Sequence, residues 1–265
     1  DSYEDIEFVK SNLKDVNLIG IDTEFDWRNT YFPKLSLLQI AINKKIFLID
    51  CLRLKDLRFL KKIFESKKKL FILHSSRSDA TVIYTNLGIK MKNVFDIQIA
   101  EKKINGGKIM NYGNIVQKYF PVKLDKSETN SNWLRRPFTE NQLSYAANDV
   151  NYLIEVFKKQ LKILKKKNLD KKTYEDSQNE SSFGNQDFYI SRLKKLKKPS
   201  KLEKKIFLWR EQQAKKRNIP PSYIFRNKDL KYLSKIIKND NLDKQLIKKI
   251  FKDSKSVQDF LKEVF

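Results

Sequence analysis

The sequence predicts an α/β domain built on a mixed β-sheet, followed by a small all-helical domain. Three observations carry this expectation. Apolar strand-like runs follow one another closely between residues 18 and 73, two of them joined only by Asn43-Lys44-Lys45. Helical and strand periods then alternate as far as about residue 165. Beyond residue 193, short apolar-periodic segments recur without any strand signal.

In chain order, an amphipathic N-terminal segment precedes strand-like runs at Leu18 to Phe25, Leu35 to Ile42 and Ile46 to Ile49. The three-residue link suits a hairpin, so these strands are expected to be antiparallel neighbours. Leu57, Leu60, Ile63 and Phe64 recur at helical spacing, and Leu70 to Leu73 reads as a buried strand. A helix from about Arg77 to Leu87, stopped by Gly88, leads to the short run Asn93-Val94-Phe95 and a further helix from Ile97. Gly106-Gly107 breaks the pattern, and the polar stretch 123–136 has no period, which predicts an ordered loop.

Thr139 with Gln142 forms a capping box that opens one long helix. Its buried stripe is Leu143, Ala146, Ala147, Val150, Leu153, Ile154 and Phe157, and it runs into lysines near Lys165, favourable at a helix C-terminus. From Lys171 the sequence turns polar, as expected of an interdomain connection. The predicted organisation is a domain over 1–170, a linker over 171–192, and a helical domain over 193–265 broken at Pro220-Pro221.

Composition points to a polyanionic partner. The 56 Lys+Arg against 32 Asp+Glu give a formal charge of +24, and lysine clusters such as Lys67-Lys68-Lys69 and Lys165-Lys166-Lys167 are spread along the chain, as suits non-specific phosphate contacts. The lone cysteine, Cys51, excludes an intramolecular disulfide framework and suits a reducing compartment as a core residue. With neither a cationic leader nor an apolar run approaching a membrane span, the expectation is a soluble cytoplasmic protein with no membrane partner.

Against this background, Ile19-Gly20-Ile21-Asp22-Thr23-Glu24-Phe25 is anomalous, because it reads as a buried strand carrying two carboxylates. Alternation puts Asp22 and Glu24 on one face, about 6–7 Å apart along the backbone. Unpaired buried anions cost several kcal/mol. A hard divalent cation, Mg²⁺ or Mn²⁺, would neutralise them; a solvated strand end is the alternative. Asp79 stands at the start of a helix, where an acid also suits the helix dipole. Asp149 stands mid-helix, where aspartate is unfavourable, with Tyr145 one turn earlier. The pair could equally occupy a solvated face. Together, four acids could hold two cations about 3.5–4 Å apart for phosphodiester hydrolysis, with the tyrosine hydroxyl aiming the water. His74, the only histidine, ends a buried strand, which favours a structural or substrate-side role over that of general base.

Taken in order, Ile21-Asp22-Thr23-Glu24-Phe25, Arg28-x-x-Tyr31-x-Pro33-x-Leu35, His74-x-x-x-x-Asp79, Phe95-Asp96-x-Gln98, Trp133-x-x-Arg136-Pro137 and Tyr145-Ala146-Ala147-x-Asp149-Val150 resemble the ribonuclease D family. Trp209-Arg210-Glu211-x-x-Ala214 followed by Pro220 resembles its helicase-and-RNase-D C-terminal (HRDC) domain. The resemblance implies a ribonuclease H-like DEDD exonuclease fold and metal-dependent 3′-to-5′ trimming of structured RNA, tRNA precursors above all. It implies Asp22, Glu24, Asp79 and Asp149 as acids for two Mg²⁺ or Mn²⁺ ions, Asp79 acting through water. Tyr145 then marks the tyrosine subclass, Thr23 and Phe25 hold the terminal nucleotide, and Lys126 meets a phosphate. Ala80 and Asn132 depart from the usual leucine and aspartate, and there is room for one helical domain where some relatives have two. A DNA 3′ exonuclease and a basic RNA-binding module that no longer cuts are the alternative functions.

Overall fold

The computed structural model describes residues 3–54, 56–238 and 244–263. Of the expected domains, residues 1–2, 55, 239–243 and 264–265 lie outside the described residues. The chain forms two units, one of Asp1–Asp26 with Pro33–Asn185 and one of Trp27–Phe32 with Gln186–Phe265.

The first unit runs α1 (Tyr3–Lys14), β1 (Leu18–Asp26), β2 (Lys34–Ile42), β3 (Lys45–Asp50), α2 (Phe59–Phe64), β4 (Leu70–Leu73), α3 (Arg77–Leu87), β5 (Val94–Asp96), α4 (Ile97–Ile104), α5 (Tyr112–Tyr119), α6 (Glu140–Asn151), α7 (Leu153–Lys166) and α8 (Asp170–Gly184). The sheet order is β3-β2-β1-β4-β5. The expected antiparallel meander is present, with β2 between β1 and β3, while β4 and β5 add in parallel after helical crossovers. Asn43 turns the β2–β3 hairpin with φ 51°, a left-handed conformation that asparagine tolerates. β1 is therefore central. Its Ile19 and Ile21 join Leu38 and Ile40 in a core with residues of α1, α2 and α3, against which half-buried Cys51 packs. On the opposite face, Ala41, Ile72 and Phe95 meet residues of α4 to α7.

The long helix expected after Thr139 is two helices. The capping box is made, with Gln142 N donating to the Thr139 hydroxyl at 3.1 Å, but the run breaks at Tyr152 (φ −102°, ψ −5°). The Tyr112 hydroxyl lies between the Asn148 carbonyl and the Tyr152 amide, 3.2 Å from each, and a group inserted between residues four apart interrupts the helical ladder. Leu143, expected in the buried stripe, is exposed at 38%.

The polar stretch expected to begin a linker at 171 is instead helix α8, packed within the first unit. Its buried face is Thr173, Ser177, Ser181 and Gly184, residues too small and polar to give an apolar period. Hydrogen bonds replace grease. Ser177 Oγ accepts from the Asp96 amide at 3.0 Å, Gln178 Nε2 donates to the Val94 carbonyl at 2.7 Å, and Thr81 Oγ1 donates to the Gly184 carbonyl at 3.1 Å. A Cβ on Gly184 would lie 2.5 Å from the Arg77 carbonyl, so only glycine allows this approach of α8 to α3.

The second unit contains α9 (Phe188–Lys194), α10 (Lys201–Arg217), α11 (Leu230–Lys238), α12 (Lys244–Ile250) and α13 (Ser254–Glu263), with a 3₁₀ turn at Pro221–Tyr223 where the break was expected. It begins before residue 193 and takes in the loop 27–32, whose Tyr31 is 2% exposed in its core. Tyr31 Oη donates to Glu211 at 3.2 Å, Arg192 lies 4.9 Å over its ring, and the amides of Tyr31 and Phe32 both donate to Asn218 Oδ1 at 3.1 Å.

Candidate active site

The site grows from β1. Alternation turns Asp22 and Glu24 towards α6 and α7, and Gly20 makes that face accessible. A Cβ there would lie 3.3 Å from the Cβ atoms of Ala41 and Leu153, so a larger residue would push α7 outward. Just past Glu24 the β1–β2 register slips: Glu24 faces Leu37 and Phe25 faces Leu35, leaving Ser36 as the extra residue of a bulge. The Ser36 hydroxyl donates to the Trp133 carbonyl, and Arg136 donates to Asp50 at 2.6 and 2.8 Å while stacking 3.7 Å over Phe138. These contacts pin the loop 123–136 against the sheet beside the acids.

From the other side, α6 brings Asp149. Carboxylate oxygens of Asp22, Glu24 and Asp149 all lie within 4.8 Å of one another. Asp79 is outside that cluster. It is 4% exposed at the start of α3 and accepts from Thr23 Oγ1 at 2.6 Å. Tyr145, one turn before Asp149, has its hydroxyl 3.3 Å from Thr129 Oγ1, lowers the Asp149 pKa, and packs its ring 6.0 Å from Trp133.

The electrostatics are those of acids crowded out of water. Burial, then the charges of Asp79, Asp149 and Glu24, raise the Asp22 pKa well above the carboxylate range. Burial with Asp149 and Asp79 pushes Glu24 up to about 9. Burial pushes Asp79 and Asp149 each to about 7, opposed by hydrogen bonds from Thr23 and Tyr145 respectively. A set of converging carboxylate oxygens, repelling one another and favouring protons when no cation is present, is the donor chemistry of a hard divalent metal. The residues fit such an ion.

A cleft of about 450 Å³ opens onto this cluster, lined by Asp22, His74, Asn111, Tyr112, Lys126, Thr129, Tyr145 and Asp149 among others. A second hollow of about 360 Å³, sharing Gly113, Leu124, Asp125 and Lys126, extends it. Lys126 thus stands at the cleft, its Nζ 3.4 Å from Asn111 Oδ1. Glu24, and Thr23 and Phe25, expected to hold the terminal nucleotide, stand behind the cleft's lining side chains. The Thr23 side chain is buried and given to Asp79, and Phe25 is half-buried at the bulge. His74 lines the cleft, with Nε2 3.2 Å from both the Met110 carbonyl and Gln98 Nε2; burial lowers its pKa, which favours the neutral ring.

Two residues escaped sequence reasoning about the site. Asp96, 1% exposed, accepts from the amides of Ser75 (3.1 Å), Ser76 (2.7 Å) and Gln98 (2.8 Å), which fixes the turn leading into α3 and Asp79. Its place in the Phe95-Asp96-x-Gln98 motif was the available signal. Tyr112 gave none, as a tyrosine between Asn111 and Gly113 outside any motif.

The family model described as 3′-5′ exonuclease matches residues 1–165, the whole span that carries the acids and Tyr145. The chain belongs to this 3′-5′ exonuclease family. An HRDC domain model matches residues 200–241, within the helical unit of this exonuclease-family chain. Among curated relatives, ribonuclease D of Desulfotalea psychrophila is 33% identical over 238 residues, covering 84% of this chain and 63% of its own. Ribonuclease D of Bartonella henselae is 34% identical over 242 residues, covering 85% and 58%. The chain thus spans about three fifths of the length of these relatives. The crystal structure of Escherichia coli RNase D shares the fold with a TM-score of 0.85 at 21% identity, over 99% of this chain and 72% of that one. Among the described residues, no helix is long and apolar enough to cross a membrane.

Proposed function

We propose that the chain is a metal-dependent 3′-to-5′ exoribonuclease that removes nucleotides singly from RNA 3′ ends as nucleoside 5′-monophosphates. The observation that carries this reading is the cluster of Asp22, Glu24 and Asp149, with Tyr145 one helical turn before Asp149, on a domain matched by the 3′-5′ exonuclease family. Asp22, Glu24 and Asp149 would hold divalent metal, two Mg²⁺ or Mn²⁺ ions once Asp79 contributes through water. When bound, these ions supply charge compensation for the developing phosphorane and acidify a water.

The protein's own groups do the rest. Tyr145 accepts a hydrogen bond from the attacking water or donates one to it, aiming its oxygen at the scissile phosphorus. The bond from phosphorus to the 3′ oxygen of the penultimate nucleotide then breaks, and that oxygen leaves as a hydroxyl after gaining a proton. Lys126 meets a backbone phosphate at the cleft. Thr23 reaches the terminal nucleotide only through its backbone, and Phe25 only if its ring turns outward. The +24 charge and the HRDC-type unit extend the contact along RNA.

Structured RNA, tRNA precursors among them, is the proposed substrate class, and the cytoplasm the proposed location. The E. coli neighbour is described as an exoribonuclease involved in structured RNA processing, and one cysteine suits a reducing compartment. The test is a time course on a 3′-extended tRNA and a DNA of matching sequence, each with Mg²⁺, Mn²⁺ or EDTA, with chromatography of the products. Nucleoside 5′-monophosphates released from RNA, with none in EDTA, are expected. Preferential digestion of DNA, or tight RNA binding with no release in either metal, would overturn the assignment.

A further inference from the structure

Tyr112 lies outside every motif that drew attention to the site, yet its side chain reaches the backbone that carries Asp149. It is 9% exposed, projects from the start of α5, and lines the cleft beside His74, the ring centroids 5.9 Å apart. Its hydroxyl donates to the Asn148 carbonyl and accepts from the Tyr152 amide, both at 3.2 Å. In an unbroken helix those two backbone groups would bond each other. The hydroxyl therefore props α6 and α7 apart at the residue before and the third residue after Asp149.

Geometry makes the consequence specific. Asp149 comes from the last turn of α6, whereas Asp22 and Glu24 come from β1, and α7 is held on β1 through the contact of Leu153 with Gly20. If α6 and α7 closed into one straight helix over that fixed point, the end of α6 would swing relative to the sheet, carrying Asp149 with it. We propose that Tyr112 is a positioning residue that holds the α6–α7 break open and so keeps the Asp149 carboxylate within reach of Asp22 and Glu24. The inference rests on the metal-site reading above.

Tyr112→Phe keeps the ring and removes only the prop. The control is Tyr119→Phe on the same helix, which loses a hydrogen bond of 2.8 Å to buried Glu101 without touching the junction. Mn²⁺ binding is measured by calorimetry on the full chain, with melting temperature and steady-state kinetics on RNA alongside. Wild-type protein and Tyr119→Phe should bind Mn²⁺ alike, while Tyr112→Phe binds about tenfold more weakly, the range seen when a group supporting a ligand is lost. It should also lose kcat with little change in KM. Equal Mn²⁺ affinity in Tyr112→Phe and wild type overturns the proposal, as does an equal loss in both variants. Absence of Mn²⁺ binding in the wild type itself overturns the site reading and this inference with it, a result distinguishable because it is seen before any substitution.

Discussion

The Thr23 hydroxyl donates a 2.6 Å hydrogen bond to the Asp79 carboxylate in a fully enclosed setting, tying the central strand of the sheet to the first turn of α3. Thr23 lies between the two acids of β1 but points to the opposite face. One residue thereby couples Asp79 to the strand that carries Asp22 and Glu24.

Thr23→Val preserves shape and removes that bond. A lost hydrogen bond to a buried carboxyl group costs about 1–2 kcal/mol, so the urea midpoint should fall at unchanged slope. Since the Thr23 bond opposes the upward pull of burial on Asp79, the Asp79 pKa should rise further from about 7. An unchanged midpoint would show that the bond carries no net stability.

Metal-free stability should depend on pH in the direction set by raised carboxyl groups. Folding lifts Glu24 from 4.5 to about 9, and Asp79 and Asp149 from 3.8 to about 7. The folded state therefore binds more protons than the unfolded chain. Its stabilisation is complete below about pH 4 and is lost as pH rises through 7 and then 9. Melting temperature in EDTA should fall between pH 5 and pH 9, and saturating Mg²⁺ or Mn²⁺ should reduce the fall by replacing those protons. A flat or rising profile in EDTA would contradict the crowding of these acids.

Gly184→Ala tests the packing of α8. The new Cβ would meet the Arg77 carbonyl at 2.5 Å and Ala80 Cβ at 2.8 Å, both on the helix bearing Asp79. Overpacking of this kind costs about 1–3 kcal/mol, and relief requires α8 to move off α3. Thermal unfolding should show the loss. A neutral substitution would mean that the helices already have slack.

The meander was legible in the sequence because its strands are short apolar runs and its hairpin link is only three residues long. The capping box at Thr139 was legible because its signal is local. The face of α8 was not, since Thr173, Ser177, Ser181 and Gly184 bury no apolar stripe. The break after Asn151 was hidden because its cause, Tyr112, lies 40 residues away. The loop 27–32 reads as a plain connection between strands, yet Tyr31 sits in the core of the helical unit, held by Glu211, Arg192 and Asn218. At the site, the clustered acids were legible as charges misplaced in apolar elements. The bond from Thr23 to Asp79 was not legible, because its partner lies 56 residues away on another element.

Tyr145→Phe removes the hydroxyl that lowers the Asp149 pKa while leaving the ring against Trp133. Turnover should drop about a hundredfold, the scale of losing a group that orients or exchanges a proton with the nucleophile, with Mn²⁺ affinity nearly preserved. A collapse of metal binding instead would make the tyrosine a structural support for Asp149.

The most direct test of the central claim is a time course on a 5′-labelled, 3′-extended RNA with Mg²⁺, run for the wild type and Asp22→Asn beside a binding titration of each. Asp22 is the acid most strongly surrounded by the other three, so neutralising it should abolish shortening. The account predicts a ladder receding from the 3′ end for the wild type and intact RNA for Asp22→Asn, with similar RNA affinity. An Asp22→Asn protein that shortens RNA at the wild-type rate would contradict it.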